Sequence, residues 1–144
     1  MINQQRGQRP AERLVLGAGL AVLTAACWWA WMAWDRGYQT DPATGSTSGP
    51  YEAWQVAGCV VCLVVLCVAA TVRIPAWLVV PVMPVAFTAA WSWTAAGADG
   101  TGLWVIGAVL VFVGMVVGTG AVSGITAVAR AAVRRRGRPV STGQ

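Results

Sequence analysis

The stretch Leu103–Val133 reads LWVIGAVLVFVGMVVGTGAVSGITAVARAAV, carries no charge before Arg130, and runs directly into Arg134, Arg135, Arg136 and Arg138. An uncharged apolar run longer than about 18 residues is the signature of a membrane-spanning helix. Inside a bilayer no water is present to satisfy backbone N–H and C=O groups, so the segment must bond to itself. The arginines behind it mark the end held in the cytoplasm.

Working outward from this helix, three further apolar blocks come into view. The first runs over residues 14–34, about 31 Å as a helix, which matches a hydrocarbon core of about 30 Å. The second covers about 51–72 and the third 76–96; with 103–133 they make four spans. Only 10% of the 144 residues are charged and 57% are hydrophobic, whereas a soluble domain carries about 25% charged residues. The composition therefore predicts an all-α membrane protein, a single four-transmembrane-helix bundle. Residues 1–13 and 134–144 are expected as polar cytoplasmic tails, the second strongly basic. Leu23-Thr24-Ala25-Ala26-Cys27 has the small residues of a lipoprotein processing site. The tryptophans that follow and the full spanning length favour an uncleaved helix.

The connections are short. Asp35–Pro50 is rich in Gly, Pro, Ser and Thr and is expected to be a flexible loop. Arg73-Ile74-Pro75 and Gly97–Gly102 are tight turns. Pro81 and Pro84 fall within the third span, where a missing backbone donor predicts a kink or local unwinding.

Topology follows from charge. With the N-terminus inside, nine of the ten basic residues, all arginines, fall on the cytoplasmic side and only Arg36 outside. This is a strong positive-inside bias and predicts both termini in the cytoplasm, in the plasma membrane. The same placement turns the net charge of +5 toward anionic lipid and away from nucleic acid. Arg130, Arg134, Arg135, Arg136 and Arg138 are the expected contacts to anionic lipid or a cytoplasmic partner. Tryptophan supports this orientation: Trp28, Trp29, Trp31, Trp34, Trp54, Trp91, Trp93 and Trp104 gather toward the outer interface, and only Trp77 lies at the inner one. Indole rings favour the headgroup level, so an outer aromatic belt is expected, with some rings packed inward to form a pocket or gripping surface.

Gly107, Gly114 and Gly118 form one stripe on the fourth helix, and Gly120 with Gly124 forms a second GxxxG pair. Small residues at this spacing let helix backbones approach closely. The first expectation is packing within the monomer; the alternative is a homodimer seam or a groove for a larger membrane protein.

Little chemistry is available. There is no histidine for general base catalysis or metal ligation. No carboxylate lies in mid-span, which argues against an ion-coupled transporter. Small multidrug-resistance transporters share the size and span number but rely on a glutamate within the first span; here Glu12 precedes the span beside Arg13, and residues 14–34 contain no acid. Four cysteines remain, of which Cys59 and Cys62 form a CxxC. Cys27 and Cys59 each lie about 10 Å below the outer boundary, so antiparallel neighbours would bring them level as a thiol or disulfide pair. On Cys59, Cys62 and the four-span layout, the chain resembles the quinone-linked membrane enzymes that generate disulfides. It departs from them in having no cysteine in an outer loop to relay electrons to a soluble partner. In composition and layout it also resembles small four-span proteins of high-GC Gram-positive bacteria, a resemblance that implies no activity.

The expected function is that of a non-catalytic accessory, assembly or interaction subunit acting through helix packing, without cofactor or metal. Two alternatives accompany it. One is a thiol oxidoreductase using Cys59, Cys62 and Cys27. The other is a small carrier or pore for neutral or lipophilic molecules, built on Pro81, Pro84, Thr88, Ser92, Thr119 and Ser123.

Overall fold

A computed structural model describes residues 10–32, 39–40, 42–45, 47–48, 52–98 and 100–136. It contains four long helices: α1 (Pro10–Trp31), α2 (Ala53–Arg73), α3 (Ala76–Ala98) and α4 (Trp104–Arg136). All four are long and apolar enough to cross a membrane. Between α1 and α2, a two-stranded antiparallel ladder pairs β1 (Gln39–Thr40) with β2 (Thr47–Ser48). The loop expected there thus contains some regular structure. Gly45, with φ of 67°, adopts the left-handed conformation that lets the chain reverse.

The helix ends follow local chemistry. α1 starts four residues before its apolar block. Pro10 is suited to a first helical position, where its missing N–H costs nothing, and Glu12 meets the positive end of the helix dipole. Glu52 caps α2, its backbone N–H donating to Gln55 Oε1 at 2.8 Å, while the Trp54 indole N–H donates to the Glu52 carboxylate. α2 stops because Ile74 precedes Pro75 and is driven to extended backbone, φ −126° and ψ 153°. Gly102, with φ of 78°, makes the tight turn into α4. Of the kink or local unwinding expected at the prolines, the unwinding is not seen: α3 runs unbroken through Pro81 and Pro84. The two carbonyls deprived of a donor lie within a helix otherwise held by its own hydrogen bonds and by packing on both sides.

Each helix packs on two principal neighbours. α1 touches α2 and α3; α4 touches α3 and α2; α2 and α3 meet only weakly across the middle, and among the described residues α1 and α4 do not pack. Trp91 lies over Gly107 and Cys27 beside Cys59, so α3–α4 and α1–α2 are antiparallel. Arg13, Arg73, Arg130 and Arg134–Arg136 consequently share one end of the bundle, the basic end, and most tryptophans the other.

The core is two contiguous clusters. Leu20, Cys67, Ile74, Val79 and Met83 fill the basic half. Trp28, Met32, Cys59, Phe87 and Ala90 fill the aromatic half. The distribution of polarity is inverted relative to a water-soluble bundle. Thr24, Gln55, Thr71, Thr119 and Ser123 are buried, while Val117, Ile125 and Val128 face outward at 65–71% exposure. Apolar side chains gain nothing by leaving lipid, whereas hydroxyls gain by bonding inside, which is the pattern a bilayer selects. The chain is an all-α, four-helix protein built to contact lipid.

Candidate functional site

The reactive groups sit at the α1–α2 contact. Cys27 and Cys59 face each other with Sγ atoms 3.9 Å apart, and Cys27 Sγ also lies 3.8 Å from the Cys59 carbonyl oxygen. All four cysteines are free; Cys59 and Cys67 are buried, Cys27 is half-buried and Cys62 is exposed. The two members of the CxxC differ in burial: Cys59 is buried and Cys62, three residues on, is exposed, though Cys62 also lies within reach of Cys27. The close pair is Cys27 with Cys59. Cys67 belongs elsewhere, in the α2–α4 seam.

What holds the thiol pair level is a contact absent from the sequence reading. The Trp31 ring lies directly over Gly58, so closely that a Cβ there would collide with it. Trp31 also meets Trp54 edge-to-face, with centroids 6.1 Å apart. A glycine next to Cys59, opposite an indole one turn beyond Cys27, is the sequence trace of this contact. It becomes readable only once α1 and α2 are known to be neighbours.

The second cluster is the α2–α4 seam. Thr71 Oγ1 donates to the Cys67 carbonyl at 2.8 Å and lies 3.2 Å from Ser123 Oγ. Cys67 Sγ is 3.4 Å from Ser123 Oγ. Arg130 closes the seam at the basic end, its Nη1 donating to the carbonyls of Thr71 at 3.1 Å and Val72 at 3.2 Å. It thus caps orphan carbonyls at the end of α2, where a cation also complements the helix dipole. Arg130 was expected at the lipid surface; the structure places part of its guanidinium on protein. The residues after it, Ala131–Arg136, are exposed, with Ala131 and Arg134 bordering a recess beside Thr71 and Ala76.

The glycine stripe of α4 needs correction as well. Gly107 is covered, a Cβ there falling 2.6 Å from the Trp91 ring. At Gly114, Gly118, Gly120 and Gly124 a Cβ would meet nothing within 4 Å. These four do not pack within the monomer. Gly114 and Gly118 instead line an open apolar cleft of about 250 Å³, walled by Leu63, Val64 and Cys67 of α2 and Met83 of α3. The reason is spacing: α4 leans on α3 through Gly107 and on α2 through Thr119 and Ser123, so the surface between these contacts stands clear.

The tryptophans divide. Trp29, Trp54 and Trp93 are exposed. Trp31, Trp91 and Trp104 are half-buried. Trp28 is a correction: it is only 2% exposed and is a core residue, edge-to-face with Phe87 at 5.6 Å. Trp34 and Arg138 lie outside the described residues. The hydroxyls of the carrier alternative do not share one path. Thr119 and Ser123 belong to the α2–α4 seam, while Thr88 is one turn from Trp91, roughly 13 Å or more away along the axis. Among the described residues no group of His, Cys, Asp or Glu has a metal-binding arrangement. No family model matches this chain, and no curated protein or solved structure proves similar to it.

Proposed function

We propose that this protein is a non-catalytic accessory or assembly subunit of the plasma membrane, which receives a transmembrane helix of a partner, a second copy or a larger protein, along α4. The observation that carries this reading is the open cleft at Gly114 and Gly118. Two small residues one turn apart, bordered by apolar walls and touching nothing in their own chain, leave room for a close backbone approach. Only Thr119 and Ser123 are buried in the whole of α4, so the helix offers a long lipid-facing surface beside the cleft. The gathering of the described arginines at one end supports termini on the cytoplasmic side. Arg134–Arg136, exposed in the last turn of α4, would hold anionic lipid or a cytoplasmic partner.

A photo-crosslinker placed at Val64, on the exposed wall of the cleft facing the two glycines, tests the docking. In native membranes it is expected to yield a defined adduct. Gly114→Leu with Gly118→Leu should reduce adduct yield about tenfold, equivalent to ~1.4 kcal/mol, while the monomer keeps its thermal stability. Absence of a defined adduct, or undiminished yield from the double variant, would overturn the reading. An adduct of twice the chain mass identifies a second copy.

The Cys27–Cys59 geometry supports a second reading, a membrane thiol oxidoreductase. Two thiols 3.9 Å apart need to close by about 1.9 Å to reach the 2.03–2.05 Å of a disulfide. A membrane-soluble quinone would accept the two electrons and two protons released, forming one S–S bond and a hydroquinone. Alkylation of native membranes before and after quinone addition decides the matter. A reducible bond that forms with quinone and is lost in Cys27→Ser favours the enzyme. Thiols that stay alkylatable throughout remove it.

A further inference from the structure

On the face of the bundle away from the α4 cleft, α1 and α3 border a groove of about 550 Å³. Its floor is made of small side chains, Gly17, Ala18 and Ala21 from α1 with Ala86 and Ala89 from α3, and Leu78 stands beside the basic end. The lining is apolar apart from one group, Arg13, at the basic end. Arg13 is half-buried, and its Nε is shielded from solvent yet has no hydrogen-bond partner among the described residues. A shielded guanidinium N–H without an acceptor is costly and points to a missing one.

We propose that this groove binds one anionic phospholipid, with an acyl chain lying along α3 and the phosphate accepting from Arg13. Length supports the assignment. The groove follows α3 from Leu78 to Ala89, about 16 Å at the helical rise, and half of a hydrocarbon core of about 30 Å is about 15 Å. One end therefore sits at the headgroup level and the other near the bilayer midplane, which is the reach of a single leaflet's chain. Small floor residues leave the width that a flexible chain fills, and a helix partner would need that space along the whole span. Charge supports it too. Guanidinium pairs with phosphate through charge-assisted, geometrically matched bonds, and Arg13 lies in the first turn of α1, at the membrane boundary. The site shares no residue with the α4 cleft, so neither reading depends on the other.

The test uses the full chain, delipidated in detergent, with thermal unfolding and native mass spectrometry as readouts. Phosphatidylglycerol is expected to stabilise the protein and to remain bound as one lipid per chain; phosphatidylcholine of the same chain length should bind about fivefold more weakly. Inorganic phosphate alone should do neither. Arg13→Gln should abolish the preference between the two lipids while leaving the lipid-free unfolding temperature unchanged. Ala18→Phe fills the groove with the charge intact and should lose retention of both; Ala89→Leu serves if that variant does not fold. Preference retained in Arg13→Gln would overturn the proposal. So would undiminished retention in both groove-filled variants, or equal binding of the two lipids by the unaltered chain.

Discussion

Trp28→Ala should lower unfolding free energy by about 3 kcal/mol, measured by thermal or SDS-titrated unfolding in detergent. The ring is nearly inaccessible and packs edge-to-face on Phe87 beside Cys59 and Met32. Truncating a buried Trp costs ~3–5 kcal/mol in water-soluble cores, combining a transfer part with a cavity part. In a bilayer the transfer part shrinks, because the unfolded helix keeps its indole in lipid. The lower end of the range is therefore expected, supplied by lost dispersion contacts and the edge-to-face pair. Trp29→Ala, one residue along and on the outer surface, should change stability by less than ~0.5 kcal/mol. Equal effects at the two positions would refute the division of the tryptophans into core and surface.

Gly58→Val should have the second largest effect, with two linked readouts. A Cβ at residue 58 runs into the Trp31 ring, and forcing extra atoms into a packed contact costs ~1–3 kcal/mol. The ring lies over α2 and can yield only by swinging away or by parting the helices. Either movement disturbs the neighbouring thiols. Copper-catalysed oxidation of the unaltered protein should join Cys27 to Cys59, and the Gly58→Val variant should form that bond several-fold more slowly. Gly19→Val is the matched control, since a Cβ there meets nothing within 4 Å. Unchanged stability and unchanged oxidation in Gly58→Val would show that Trp31 does not set the α1–α2 spacing.

These two expectations lie on the chain from packing to site. Gly58 and Trp31 bring α1 against α2; that approach sets the 3.9 Å between Cys27 and Cys59. The α2–α4 seam makes the complementary contribution. Thr71, Cys67 and Ser123 bond across it and Arg130 fastens its end, which holds α4 while leaving Gly114 and Gly118 uncovered. The cleft is thus a consequence of where α4 is attached.

Much of this was legible in the chain. Four uninterrupted apolar blocks separated by arginine, proline and glycine yield four helices, because a bilayer permits no other way to satisfy so many backbone groups in so short a protein. The placement of Cys27 near Cys59 was also within reach, because equal depth along antiparallel helices depends on residue counting alone. The turn at Ile74-Pro75 required only the steric rule for a residue before proline.

The tertiary structure decided which faces meet. All sides of these helices are apolar, so periodicity carries no signal for orientation around the axis, and glycine spacing reads the same whether the stripe is covered or open. Only the tertiary packing distinguishes Gly107, under Trp91, from Gly114 and Gly118, where a Cβ would meet nothing within 4 Å. The same degeneracy hid Trp28 among the interface tryptophans and Thr71 among the span residues. Composition determined that this chain lives among lipids and how many times it can cross them. Side-chain volume and a few buried hydroxyls, compared across helices far apart in sequence, decided which surfaces remain for a thiol pair, a lipid or a partner.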